Sequence, residues 1–165
     1  MLCEGLSSSI VTNCSFLNNT AGDKGGGLYC GSTAEIYISY TLFSGNSADV
    51  IGGAIFGYSE GVITLDDCIV SENNAGINGG GIYISNTGSA DEPTRLVAQT
   101  TTIRDNTALS FVDGYVGYFS EAELTCCDVD MAQWGGEGTI ILNNEGCDPI
   151  AAEGKTWGGI KTLYR

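Results

Sequence analysis

The sequence has no histidine, only six basic residues and only two prolines among 165 residues. With no histidine, and no Cys-x-x-Cys spacing among the seven cysteines, the ligand patterns of a zinc site are missing. Six lysines and arginines against twenty carboxylates give a net charge of −14. That balance cannot supply a phosphate-binding face, so nucleic acid and anionic membrane surfaces are excluded as partners. No apolar run approaches the length of a spanning helix, so no membrane insertion by this chain is expected. Met1 to Ser9 lacks the basic start and long apolar core of a signal peptide. Apolar residues at three- and four-residue steps are also absent, which excludes a helical solenoid.

What is present is a period. Asn19, Asn46 and Asn73 stand 27 residues apart. Phe16, Phe43 or Val70 lies three residues before each, and Ala21, Ala48 or Ala75 two after. The pairs Gly25-Gly26, Gly52-Gly53 and Gly79-Gly80 repeat at the same interval, followed by Leu28, Ile55 and Ile82 and then by Tyr29, Phe56 and Tyr83. Such an interval is one coil of a solenoid. The stretches Glu35 to Phe43 and Val62 to Val70 are β-branched, aromatic and alternating, so they read as strands. Twenty-five glycines and Asn-rich corners supply the sharp turns. The fold class expected is all-β, a parallel β-helix of about five or six rungs. One domain spans 1–165, with regular rungs to about 108 and irregular rungs and a cap from about 109 onward.

In such a coil each residue lies about 4.8 Å from its counterpart one rung away. Asn19, Asn46, Asn73 and Asn106 then form an inward amide ladder, because buried amides are costly unless paired. The role expected for them is structural.

The Phe-x-x-Asn phrases at Phe16 and Phe43, and Gly-Gly-[Gly/Ala]-[Leu/Ile] at Gly25, Gly52 and Gly79, resemble the repeat pair of chlamydial polymorphic outer membrane proteins. The likeness covers about residues 10 to 108, with Val70 and Ile103 in place of Phe in the third and fourth copies. It implies a right-handed parallel β-helix passenger domain, extracellular or at a cell surface, used in adhesion. A general crossover preference points to the same hand. The C-terminal membrane barrel of that family has no counterpart here.

Cys3 and Cys30 occupy one column, one rung apart, and are the candidate disulfide, with two stacked thiols as the alternative. Cys14 and Cys68 share another column two rungs apart and are not expected to pair. A bridge from Cys126 or Cys127 to Cys147 is compatible with their clustering. Asn13 and Asn18 head N-glycosylation sequons. Calcium is possible on so acidic a surface, yet no motif indicates it, and a solvated acidic face is the simpler reading of Asp66, Asp67, Glu121, Glu123 and Asp128.

No catalytic residues and no cofactor are expected. Parallel β-helices resembling pectate lyases and polygalacturonases make a polysaccharide-binding or polysaccharide-cleaving protein the alternative function. It needs converging carboxylates, whereas Asp66 and Asp67, as strand neighbours, point apart. Thr12 is followed in its column by Ser39 and Asp66, so no flat threonine array suits ice.

Asn106 arrives 33 residues after Asn73, which inserts six residues and predicts a protruding loop near Asn86 to Arg95. Leu124 to Val129 and Thr139 to Leu142 read as later strands. Trp134, Trp157 and the segments Asp148-Pro149-Ile150 and Gly158-Gly159-Ile160 read as an irregular end that closes the core. Leu2-Cys3 falls in the Tyr29-Cys30 columns, so the first coil is open. The partners expected are therefore a second copy or adjoining β-helix rungs, with a carbohydrate or host-surface ligand also possible.

Overall fold

The computed structural model describes residues 1–145 and Cys147. The expectations for Asp148-Pro149-Ile150, Trp157 and Gly158-Gly159-Ile160 lie outside the described residues.

The chain is a parallel β-helix. Six strands, Leu2–Cys3, Leu28–Cys30, Ile55–Tyr58, Ile82–Ser85, Gly114–Val116 and Trp134–Gly135, stack as one sheet. Six longer ones, Ser8–Thr12, Glu35–Ser39, Val62–Asp66, Thr94–Gln99, Ser120–Thr125 and Thr139–Asn143, form the broad face. A third sheet runs from Ser15–Leu17 to Asp128–Val129, and a short fourth joins Thr20–Ala21, Ser47–Ala48 and Asn74–Ala75. Every named pairing is parallel and joins strands of successive coils, as Ile36↔Ile63↔Leu96↔Ala122↔Ile140 illustrates. Among the described residues the helical content is one 3-10 turn, Met131–Gln133.

Alternation decides which side chains enter. In Glu35–Ser39, Ile36 and Ile38 are buried while Glu35 and Tyr37 are exposed. The same parity buries Ile63 and Leu65, Leu96 and Ala98, and Ala122 and Leu124 in the coils that follow. Phe16, Phe43, Val70, Ile103 and Val129 fill the third wall, with the rings of Phe16 and Phe43 stacked 4.6 Å apart.

Glu35 to Phe43 and Val62 to Val70 are each two strands rather than one. They break at Tyr40 and Asp67, with φ of 48° and 49°, and Asn13, Thr100 and Cys126 take the same left-handed conformation in the same column. Cys126 also divides the strand expected over Leu124 to Val129. A left-handed non-glycine residue costs roughly 1–2 kcal/mol. Here the N–H of each still donates to a neighbouring coil: Tyr40 to Asp66 O at 3.0 Å, Asp67 to Gln99 O at 3.1 Å. The following residue turns inward and ties the corner. Thr41 and Thr101 Oγ1 each donate to the carbonyl two residues back at 2.8 Å, and the Cys68 and Cys127 thiols do so at 3.3 and 3.4 Å.

Glycine is required where coils touch. A Cβ on Gly53 would lie 2.2 Å from Gly80 O and 2.4 Å from Asn74 O, and one on Gly26 2.4 Å from Gly53 O. The insertion is a loop over 86–93, shorter than expected, because Thr94 is buried and its Oγ1 donates to Ser85 O.

Candidate functional site

Three features distinguish this coil: its polar spine, its outer columns and its two unlike ends.

The spine is the amide ladder, and the structure brings all four expected asparagines into it. Asn19 Nδ2 donates to Asn46 Oδ1 at 2.8 Å, Asn46 Nδ2 to Asn73 Oδ1 at 2.9 Å, and Asn73 Nδ2 to Asn106 Oδ1 at 2.9 Å. Each receiving Oδ1 also accepts the preceding asparagine's backbone N–H, at 2.9 to 3.1 Å. Asn46, Asn73 and Asn106 are buried, whereas Asn19, in the first coil, is exposed.

Beyond Asn106 stands Asp113, a residue the sequence reading passed over. It replaces the glycine of the Gly81 column, in a coil where the Gly-Gly phrase is lost. Its buried Oδ1 accepts Asn106 Nδ2 at 2.9 Å and Asn106 N at 3.2 Å. Desolvation pushes its carboxyl above the usual range, and those two hydrogen bonds pull the other way. The available signal was an acidic residue in a glycine column beside the ladder.

The Cys3–Cys30 bridge does not form. Both are free thiols, although their strands pair in the expected register. In-register parallel strands hold such side chains side by side at about the 4.8 Å strand spacing, beyond the 3.5–4.5 Å Cβ separation a disulfide wants. Cys3 Sγ instead lies 3.3 Å from Ser7 Oγ, and Cys30 Sγ donates to Ala34 O at 3.5 Å. Burial, with a smaller contribution from Cys3, pushes the Cys30 thiol up to about 12. The disulfide present is Cys126–Cys147, with Cα atoms 5.4 Å apart. Cys14 and Cys68 are free, the first exposed and the second buried.

Outside, Tyr29, Phe56, Tyr83 and Tyr115 form an aromatic column with centroids 5.0, 5.6 and 4.6 Å apart. The last two pairs are stacked, so those ring faces cover one another and only edges meet solvent. That arrangement withholds the open ring face on which a sugar would stack. Trp134 is also turned inward, its ring against Gly114.

The acidic residues lie on the surface and engage neighbours individually. Asp66 accepts Tyr37 OH at 2.9 Å, Arg95 pairs with Glu121 at 3.4 Å, and Arg104 pairs with Asp128. Asp67 sits on the corner and does not converge with Asp66. Among the described residues no group of three or more His, Cys, Asp or Glu side chains could hold a metal ion. Asn13 and Asn18 are both exposed, at left-handed corners with φ of 52° and 54°.

The repeat of the Chlamydia polymorphic membrane protein family matches residues 13–31 and 40–58. These segments are one coil apart, and each runs from a left-handed corner through its ladder asparagine and Gly-Gly phrase to the aromatic column. The chain therefore carries the repeat of surface-exposed outer membrane proteins, which is not an enzyme family. Comparison with curated proteins and with solved structures finds no match. Among the described residues no helix is long and apolar enough to cross a membrane.

Proposed function

We propose that this chain is an extracellular structural or adhesive β-helix module, displayed at a cell surface or forming part of a longer surface protein. The observation that carries the reading is the outer membrane protein repeat on two successive coils. The architecture suits display. Successive strands in register give a stiff rod, and a surface with 20 carboxylates in the chain keeps it solvated. Contact with a host protein or carbohydrate would fall on the broad face, where Ile10, Tyr37, Thr64, Val97, Glu123 and Ile141 form the central outward column. The loop over 86–93 stands beside the same sheet and is the second candidate surface.

An antibody against the chain, applied to intact source cells, is expected to label them and to lose its target when protease is added outside. Purified chain is expected to bind host cells saturably. Labelling that appears only after permeabilisation would overturn the surface assignment, and absence of saturable binding would remove adhesion while leaving a structural role.

A further inference from the structure

We infer that the open first coil is a self-association surface, on which two copies of this chain meet head to head. The inference deepens the reading above by naming what the end of the module contacts, and its failure would leave surface display standing.

The first coil is unsatisfied in several independent ways. Ser8–Thr12, Ser15–Leu17 and Thr20–Ala21 are each the last strand of their sheet, so one edge of backbone N–H and C=O groups is unpaired. Asn19 Oδ1 lies at the open end of the ladder, while the equivalent atoms of Asn46, Asn73 and Asn106 each accept two bonds. Val11 and Phe16 are only partly covered where their counterparts Ile38 and Phe43 are fully buried. Ile10 is 78% exposed and Leu6 97%.

Charge selects the occupant. Residues 1–22 carry one charged side chain, Glu4, beside the Met1 amine, so this end is close to neutral on a chain of net charge −14. Residues 120–145, at the other end, carry six carboxylates and no basic residue. Head-to-tail stacking would bury carboxylates against a neutral face, and the ladder is already closed there by Asp113. A two-fold, isologous contact instead joins the two neutral faces and keeps the acidic ends apart. With the axis through Ile10, the two Ser8–Thr12 edges pair antiparallel, Ser8 faces Thr12 of the other copy, and each exposed Ile10 covers its equivalent.

Sedimentation velocity in reductant tests this, with the reductant removing crosslinks through exposed Cys14. The sedimenting mass is expected to double with rising concentration. Added salt is expected to strengthen the dimer by screening repulsion between the acidic bodies. Ile10→Asp sets like charges opposite each other and is expected to restore the monomer. Ile141→Asp, in the same outward column on the last coil, is expected to leave the dimer intact. Both side chains point outward, so circular dichroism is expected to be unchanged. A monomer at every concentration and salt would overturn the inference. So would assembly growing beyond the dimer, or assembly abolished by Ile141→Asp and not by Ile10→Asp.

Discussion

Asn73 uses its whole amide: Oδ1 accepts two bonds from Asn46, and Nδ2 reaches Phe43 O, Ser71 O and Asn106 Oδ1. Asn73→Ala strips partners from several buried groups, each costing about 1–3 kcal/mol, so a loss of roughly 3 kcal/mol or more is expected in urea unfolding. Asn19→Ala, at the exposed end of the same ladder, is expected to cost less than about 1 kcal/mol. Asp113 gives a prediction of opposite sign. Its carboxyl titrates higher folded than unfolded, so its charged form opposes folding at neutral pH, and that penalty fades as pH falls through the raised value. Asp113→Asn keeps an Oδ1 acceptor for Asn106 and removes the charge. The variant is expected to melt higher than the parent at neutral pH and to lose its advantage on acidification; an advantage that grew in acid would refute the assignment. The Asn ladder was legible because one residue type recurs at one interval, whereas Asp113 was not, because it terminates the series instead of repeating it.

At the scale of strands and corners, the repeat interval placed each sheet and its inward parity correctly, from Ile36 and Ile38 through Leu96 and Ala98. It did not reveal the breaks at Tyr40 and Asp67. Those positions hold neither glycine nor proline, and the left-handed turn is held by coil-to-coil hydrogen bonds that a single sequence does not display. The Cys3–Cys30 expectation failed for a related reason: a shared column fixes Cα register but not a Cβ separation short enough for a bond. The thiols offer a direct check. Of Cys3, Cys14, Cys30, Cys68 and Cys127, only Cys14 is exposed, so Ellman's reagent is expected to modify one cysteine quickly in the native protein and all five once it is unfolded. Fast reaction of Cys30 in the folded chain would contradict both its burial and its raised titration. Packing makes an equally local prediction. Phe43 is fully buried beneath Phe16, and Phe43→Ala is expected to cost about 3–5 kcal/mol, read as a shifted denaturant midpoint.

On the scale of the whole molecule, each coil rests chiefly on its neighbours, so stability is expected to vary along the axis. Hydrogen exchange is expected to be faster in Ser8–Thr12, with one neighbouring strand, than in Val62–Asp66, with two. If the ends pair as inferred, that difference shrinks as concentration rises. The coil length carries a last consequence. Glu35 to Val62 is 27 residues, Val62 to Arg95 33, Arg95 to Glu121 26 and Glu121 to Thr139 18. The amides all face one way, and a deprotonated carboxylate accepts without donating, so Asp113 ends the series. Past that point no asparagine has to arrive opposite another, and the backbone is released from a common circumference. The last turns are free to narrow, and this polypeptide sets its own length by spending a single aspartate where another asparagine would have demanded one more full circuit.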